Sequence, residues 1–109
     1  MRSNYTRGRA REYRVKKRLL EEGALWVVRS YGSHGLFDLT AVFPDCVRLV
    51  QVKKKYIHPK EKKALEDFAK KVEAQNISVE VWFTQPKLRV LRFGGQPRVC
   101  EKSLSILHG

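Results

Sequence analysis

The chain has 109 residues, of which 42% are hydrophobic and 31% charged, enough for one small folded domain rather than a disordered segment. No apolar run approaches the roughly 20 residues that cross a bilayer, and no apolar stretch follows the basic N-terminus as a secretory signal requires, so an intracellular, cytoplasmic protein without a membrane partner is expected. Twenty-three Lys and Arg against 11 Asp and Glu give a net charge of +12, which calls for a polyanionic partner, because each phosphate neutralised releases a condensed cation.

Residues 1–6 read as a flexible basic arm to a single domain spanning 1–109. From about Thr6 to Glu22 the pattern is helical, and Gly23 is a suitable stop. Eight basic residues lie between Arg2 and Arg18, opposed only by Glu12. Glu12, Val15 and Leu19 share one helical face, so this acid is directed toward the core, where it needs a charge, a metal or hydrogen bonds.

Ala24 to Arg29 is a predicted strand, followed by a polar, glycine-containing loop over 30–36. Phe37 to Phe43 is a second strand. The turn Pro44-Asp45 returns the chain into a third, Cys46 to Lys53, antiparallel to the second. Alternation puts Asp38, Thr40 and Val42 on one face, and Val47, Leu49, Gln51 and Lys53 on one face. If the hairpin aligns those faces, Asp38, Gln51 and Lys53 converge at its open end. Pro59 suits the first turn of a helix running to about Gln75, with Ala64, Leu65, Phe68, Ala69 and Val72 at helical spacing. Ile77–Thr84 and Leu88–Phe93 are two further strands. The turn Gly94-Gly95-Gln96-Pro97 and a short apolar tail, Ser103–Leu107, complete the order α-β-β-β-α-β-β. Cys46 and Cys100 lack metal-ligand spacing and read as reduced core residues. Trp26, Trp82 and Phe83 read as core as well.

An acid, a polar-x-Lys pair across a hairpin and a helical glutamate together suit metal-dependent cutting of a phosphodiester. Mg²⁺ takes oxygen ligands; Asp38, the Gln51 side-chain carbonyl, the Val52 backbone carbonyl and Glu12 are the candidates, and Mn²⁺ is a possible substitute. Lys53 is placed to orient water or offset charge on the phosphate. Arg7, Arg9, Arg11, Arg29, His34, Lys54 and Lys55 are candidate DNA contacts. Taken singly, each of these has an ordinary reading: a turn aspartate, a solvated lysine, a glutamate paired with an arginine. The discordant residue is Gln51, which stands where a carboxylate is expected.

The spacing of the set resembles the archaeal-type Holliday junction resolvases, a branch of the PD-(D/E)xK nuclease superfamily that some viruses and phages also carry. Arg11-Glu12-Tyr13-x-Val15, with Leu19-Leu20, is similar to that family's first helix. Val27-Val28-Arg29-Ser30-Tyr31-Gly32-Ser33 is similar to its Val-Val-Arg-Ser-x-Gly-Ser loop, Asp38 to its motif aspartate, and Gln51-Val52-Lys53 stands at its Glu-Val-Lys position. Leu65, Phe68-Ala69 and Val79-Glu80-Val81-Trp82-Phe83 resemble its second half. The resemblance implies a restriction-endonuclease-like α/β (α+β) fold, a mixed sheet flanked by helices. It also implies a homodimer making paired symmetric nicks in four-way DNA with Mg²⁺, in recombination and repair. Ser33 matches a family serine near the metal. Gln51 leaves three readings open: a natural variant that still ligates through its amide oxygen, an engineered change that traps an inactive enzyme, or a module that binds junctions without cutting. Another superfamily nuclease acting on duplex DNA is the remaining alternative.

Overall fold

An 18-residue helix, α1 (Asn4–Glu21), leads into five strands and a second helix: β1 (Trp26–Arg29), β2 (Leu39–Val42), β3 (Val47–Lys53), α2 (Pro59–Lys71), β4 (Ile77–Phe83) and β5 (Arg89–Phe93). The structure is a computed structural model that describes residues 4–30 and 35–93, with side chains from residue 8 onward within those ranges. Ser33, His34, the Gly94–Pro97 turn, Cys100 and the Ser103–Leu107 tail fall outside the described residues, as does the side chain of Arg7. The order α-β-β-β-α-β-β is the one expected. The first helix begins at Asn4, so residues 4–6, expected as arm, belong to it. It stops at Gly23, whose φ of 107° is a conformation other residues rarely adopt; there the Ala24 N–H reaches back to the Leu19 carbonyl at 3.1 Å.

The five strands form one sheet in chain order, β1 to β5. Neighbours are antiparallel except β3 and β4, which run parallel over seven residue pairs. A parallel pair needs a crossover, and α2 provides it. His58 caps that helix, its ring accepting from the Lys60 N–H, and Pro59 occupies the first turn. The helix ends at Lys71, short of Gln75.

Alternation along β4 divides the core in two. Val15 and Leu19 of α1 are fully buried against Val27, Leu39, Ala41, Val50 and Trp82. Leu65 and Ala69 of α2 are buried against Val79, Val81, Phe83 and Phe93. Trp82 thus lies in the first cluster and Val81 and Phe83 in the second, so the two helices cover opposite faces of the sheet. Leu65→Ala would empty the centre of the second cluster, a change that typically costs about 2–5 kcal/mol. Trp82 and Phe83 are core, as expected, but Trp26 is 65% exposed: it lies on edge strand β1, pointing away from α1. Cys46 is buried but disulfide-bonded, which corrects the expectation of a reduced thiol.

A charged cluster is enclosed on the α1 side. The Arg48 guanidinium donates to both carboxylate oxygens of Glu80, at 2.7 and 2.9 Å, and to Glu22 at 2.9 Å. Ser78 Oγ and Trp82 Nε1 also donate to Glu80, at 2.6 and 2.8 Å, and Arg92 lies 3.5 Å away. Burial opposes ionisation of Glu80, yet the hydrogen bonds and charge of Arg48, aided by Arg92 and Ser78, hold its carboxyl below the usual range.

Candidate active site

The β2–β3 register sets Thr40 against Leu49 and Leu39 against Val50. At the end of that ladder the Asp38 N–H donates to the Val50 carbonyl at 2.9 Å. Asp38 Oδ2 accepts the Val52 N–H at 2.7 Å, which fixes the acid against the Gln51-Val52-Lys53 run. Burial raises the Asp38 pKa. The Val52 N–H works against that rise, Glu12 adds to it, and the charges of Lys53 and Arg29 oppose it.

Gln51 is 9% exposed. Its Nε2 donates to Glu61 Oε2 at 3.1 Å, while its Oε1 is buried with no hydrogen-bond partner. Leaving such an acceptor unpaired costs about 1–3 kcal/mol, so the amide oxygen is an orphan that an oxygen-seeking cation fits. Lys53, a little over a quarter exposed, places Nζ 2.7 Å from the same Glu61 oxygen. Glu61 sits in the first turn of α2, on the face of the sheet that Gln51 and Lys53 share. Sequence reasoning did not find it. The signal was the short link between β3 and α2, six positions from Lys53 to Pro59, which returns the start of the helix to the end of the strand.

Glu12 is satisfied differently. It faces inward from α1, as its spacing required, and accepts from Arg29 Nε at 2.5 Å. Arg29 is on the α1 face with Val27, so this pair and the Gln51–Lys53–Glu61 group approach the end of the sheet from opposite sides, with Asp38 between them close enough to feel Glu12, Lys53 and Arg29. Among the described residues no three of His, Cys, Asp and Glu gather closely enough to hold a metal ion. The available oxygens are instead the Asp38 carboxylate, Gln51 Oε1, the Val52 carbonyl and Glu61.

The surroundings are basic. A recess of about 450 Å³ is lined by Arg11, Val52, Lys53, Lys54, Lys55 and Tyr56, joining the first helix to the end of β3 in one positive concavity. Tyr56, also not anticipated, is 80% exposed at its rim. Arg9 is exposed on α1. Arg14 donates to the Thr84 carbonyl at 2.8 Å, and Arg18 to Glu22 at 3.0 Å, so these two basic residues brace the helix. No helix among the described residues is long and apolar enough to cross a membrane.

No protein-family model and no curated protein matches the chain. Among solved structures, the chain is similar to Hjc, a Holliday junction resolvase from the archaeal hyperthermophile Archaeoglobus fulgidus, with a TM-score of 0.50 and 18% identity over 73% of this chain and 74% of that one. The likeness is one of fold: the mixed five-stranded sheet with flanking helices is an architecture this chain has in common with that nuclease.

Proposed function

We propose that this protein is a structure-selective DNA endonuclease that resolves four-way junctions by metal-dependent phosphodiester hydrolysis. The observation that carries the reading is the hydrogen bond from the Val52 N–H to Asp38: it joins the motif aspartate to Gln51-Val52-Lys53 at one end of the sheet, against a recess of four basic side chains. The shared fold with Hjc supports the same reading.

Asp38, Gln51 Oε1 and the Val52 carbonyl would hold Mg²⁺ or Mn²⁺, and the unpaired, buried Gln51 oxygen fits that role. When bound, the ion polarises a phosphoryl oxygen and acidifies an attacking water. Arg11, Lys54 and Lys55 hold the DNA backbone in the recess by phosphate contacts. Lys53 offsets charge that develops on the scissile phosphate. The Val52 N–H fixes the Asp38 carboxylate, so its free oxygen keeps one orientation. Two such sites in a two-fold homodimer would nick opposite strands symmetrically.

A second reading, a junction-binding module without catalysis, is favoured by one observation: Gln51 carries no charge where the motif has an acid. The test compares four-way junctions with linear duplexes of equal length, in Mg²⁺ and in Mn²⁺. Paired nicks confined to the junction support the resolvase. Equal cutting of both substrates would indicate a duplex nuclease, and tight junction binding without cutting in either metal would select the binding module.

A further inference from the structure

We infer that Glu61, at the start of α2, is the carboxylate ligand that strand β3 lacks, so that the divalent-ion site of this chain is built from Asp38, the Gln51 amide oxygen and Glu61. The inference rests on the nuclease reading and assigns the charge missing from its motif to another element. Gln51 is the residue that links the two acids. Its two neighbours on β3 hold Asp38, Val50 through its carbonyl at 2.9 Å and Val52 through its N–H at 2.7 Å, and its own side chain touches Glu61 at 3.1 Å.

Two independent observations bear on the group. First, the Gln51 Oε1 is enclosed and has no partner, although its own Nε2 is engaged. A buried acceptor with a free lone pair is costly as it stands and is suited to a cation. Second, Glu61 is oriented inward by Lys53 and Gln51 together, although it starts from an otherwise exposed helix end carrying Lys60, Lys62 and Lys63. Glu12 does not offer this charge on the same face, because Arg29 holds it on the α1 side. With Glu61 counted, the site regains the two formal negative charges that the Asp and Glu of the motif would bring.

The experiment titrates Mn²⁺ into the full chain without DNA, read by calorimetry and by loss of the free-ion electron paramagnetic resonance signal. Glu61→Gln should weaken Mn²⁺ binding by at least about tenfold, the loss typical even of outer-layer partners of a metal. Glu61→Asp keeps the charge but withdraws it by one methylene, and should lose affinity too. The exchange Q51E/E61Q, which returns the acid to the strand, should recover it. Glu66→Gln, an exposed acid of the same helix, is the control and should bind as the parent does. The inference is overturned if the parent binds Mn²⁺ and Glu61→Gln binds it equally well, a result that leaves the nuclease reading standing. It is overturned likewise if Glu61→Asp matches the parent, since Glu61 then acts through charge alone. A parent chain that neither binds Mn²⁺ nor nicks any junction sinks both readings together.

Discussion

Two groups of charged side chains lie at different places on this sheet, and they are built on opposite principles. Around Glu80 every oxygen is used: Arg48, Ser78 and Trp82 all donate to it within 2.9 Å, and neither Arg48 nor Glu80 is more than 1% exposed. Around Gln51 the same kinds of residue are left incomplete. An amide oxygen is buried without a partner, Lys53 and Glu61 are partly open to solvent, and Asp38 takes up protons more readily than an ordinary aspartate. Burial acts on Asp38 and Glu80 alike; only Glu80 has an arginine fork that outweighs it. A charge cluster whose acceptor oxygens are all occupied fixes the fold. One that is incomplete is where a ligand can act.

The same chemical change should therefore have different consequences at the two places. Glu80→Gln leaves Glu22 as the one carboxylate bonded to the buried Arg48 guanidinium and should lower unfolding stability by about 3–5 kcal/mol, measured by urea denaturation. Replacing both partners with apolar residues of similar volume should recover much of that loss. Asp38→Asn should change stability by less than about 1 kcal/mol, within the range of ordinary surface or near-surface changes, while reducing junction nicking by about 10²–10³-fold. Lys53→Ala should do the same, with junction binding close to the parent's in both. If Asp38→Asn unfolds the chain and leaves nicking intact, the contrast is reversed and the site is elsewhere.

Acid should affect the complete cluster. The folded pKa of Glu80 lies below its unfolded value, so the stability it contributes is whole above the ordinary glutamate range and is lost as pH falls through the folded value. Urea midpoints taken from pH 7 down to pH 3 should therefore fall in the parent and fall less steeply in Glu80→Gln.

Smaller effects are expected from the basic surface. Alanine at Arg7, Arg9 and Arg11 together should weaken junction binding and lower the slope of log affinity against log salt by about 0.9 for each phosphate that is no longer neutralised. An unchanged slope would remove the first helix from the DNA surface. The smallest effect is reserved for the exposed pair Lys63–Asp67, 3.8 Å apart on α2: Asp67→Ala should alter stability by no more than about 0.5 kcal/mol, which sets the scale against which Glu80 is judged.

Much of the fold is legible in the amino-acid order alone. Helical spacing marks Val15 and Leu19 and then Leu65 and Ala69 as inward-facing, and all four are buried. The Pro44-Asp45 turn fixes the hairpin closely enough to bring Asp38 and the Gln51-Val52-Lys53 run to the same end of it. The readings that fall short concern edges and long-range partners. Trp26 reads as core by its apolar neighbours, yet alternation on an edge strand turns it away from the helix that covers Val27. The pairing of Arg48 with Glu80 is not foreseen at all, because nothing in β3 or β4 announces that the other will be its neighbour in the sheet.

What the sequence determined by itself is what short-range physics decides: the order of elements, the faces of each helix, the turn that closes the hairpin, and the excess positive charge. These depend on residues a few positions apart, whose geometry is set by the 3.6 and 2.0 periods of helix and strand. Only the tertiary structure decided who meets whom across the sheet. It paired Glu12 with Arg29, 17 residues on, enclosed Arg48 with Glu80, 32 residues on, and brought Glu61 of α2 against Gln51 and Lys53 of β3. Those meetings follow from the parallel β3–α2–β4 crossover and from which face each helix covers. Several side chains of matching charge were available to each partner, and packing of the two cores selected among them.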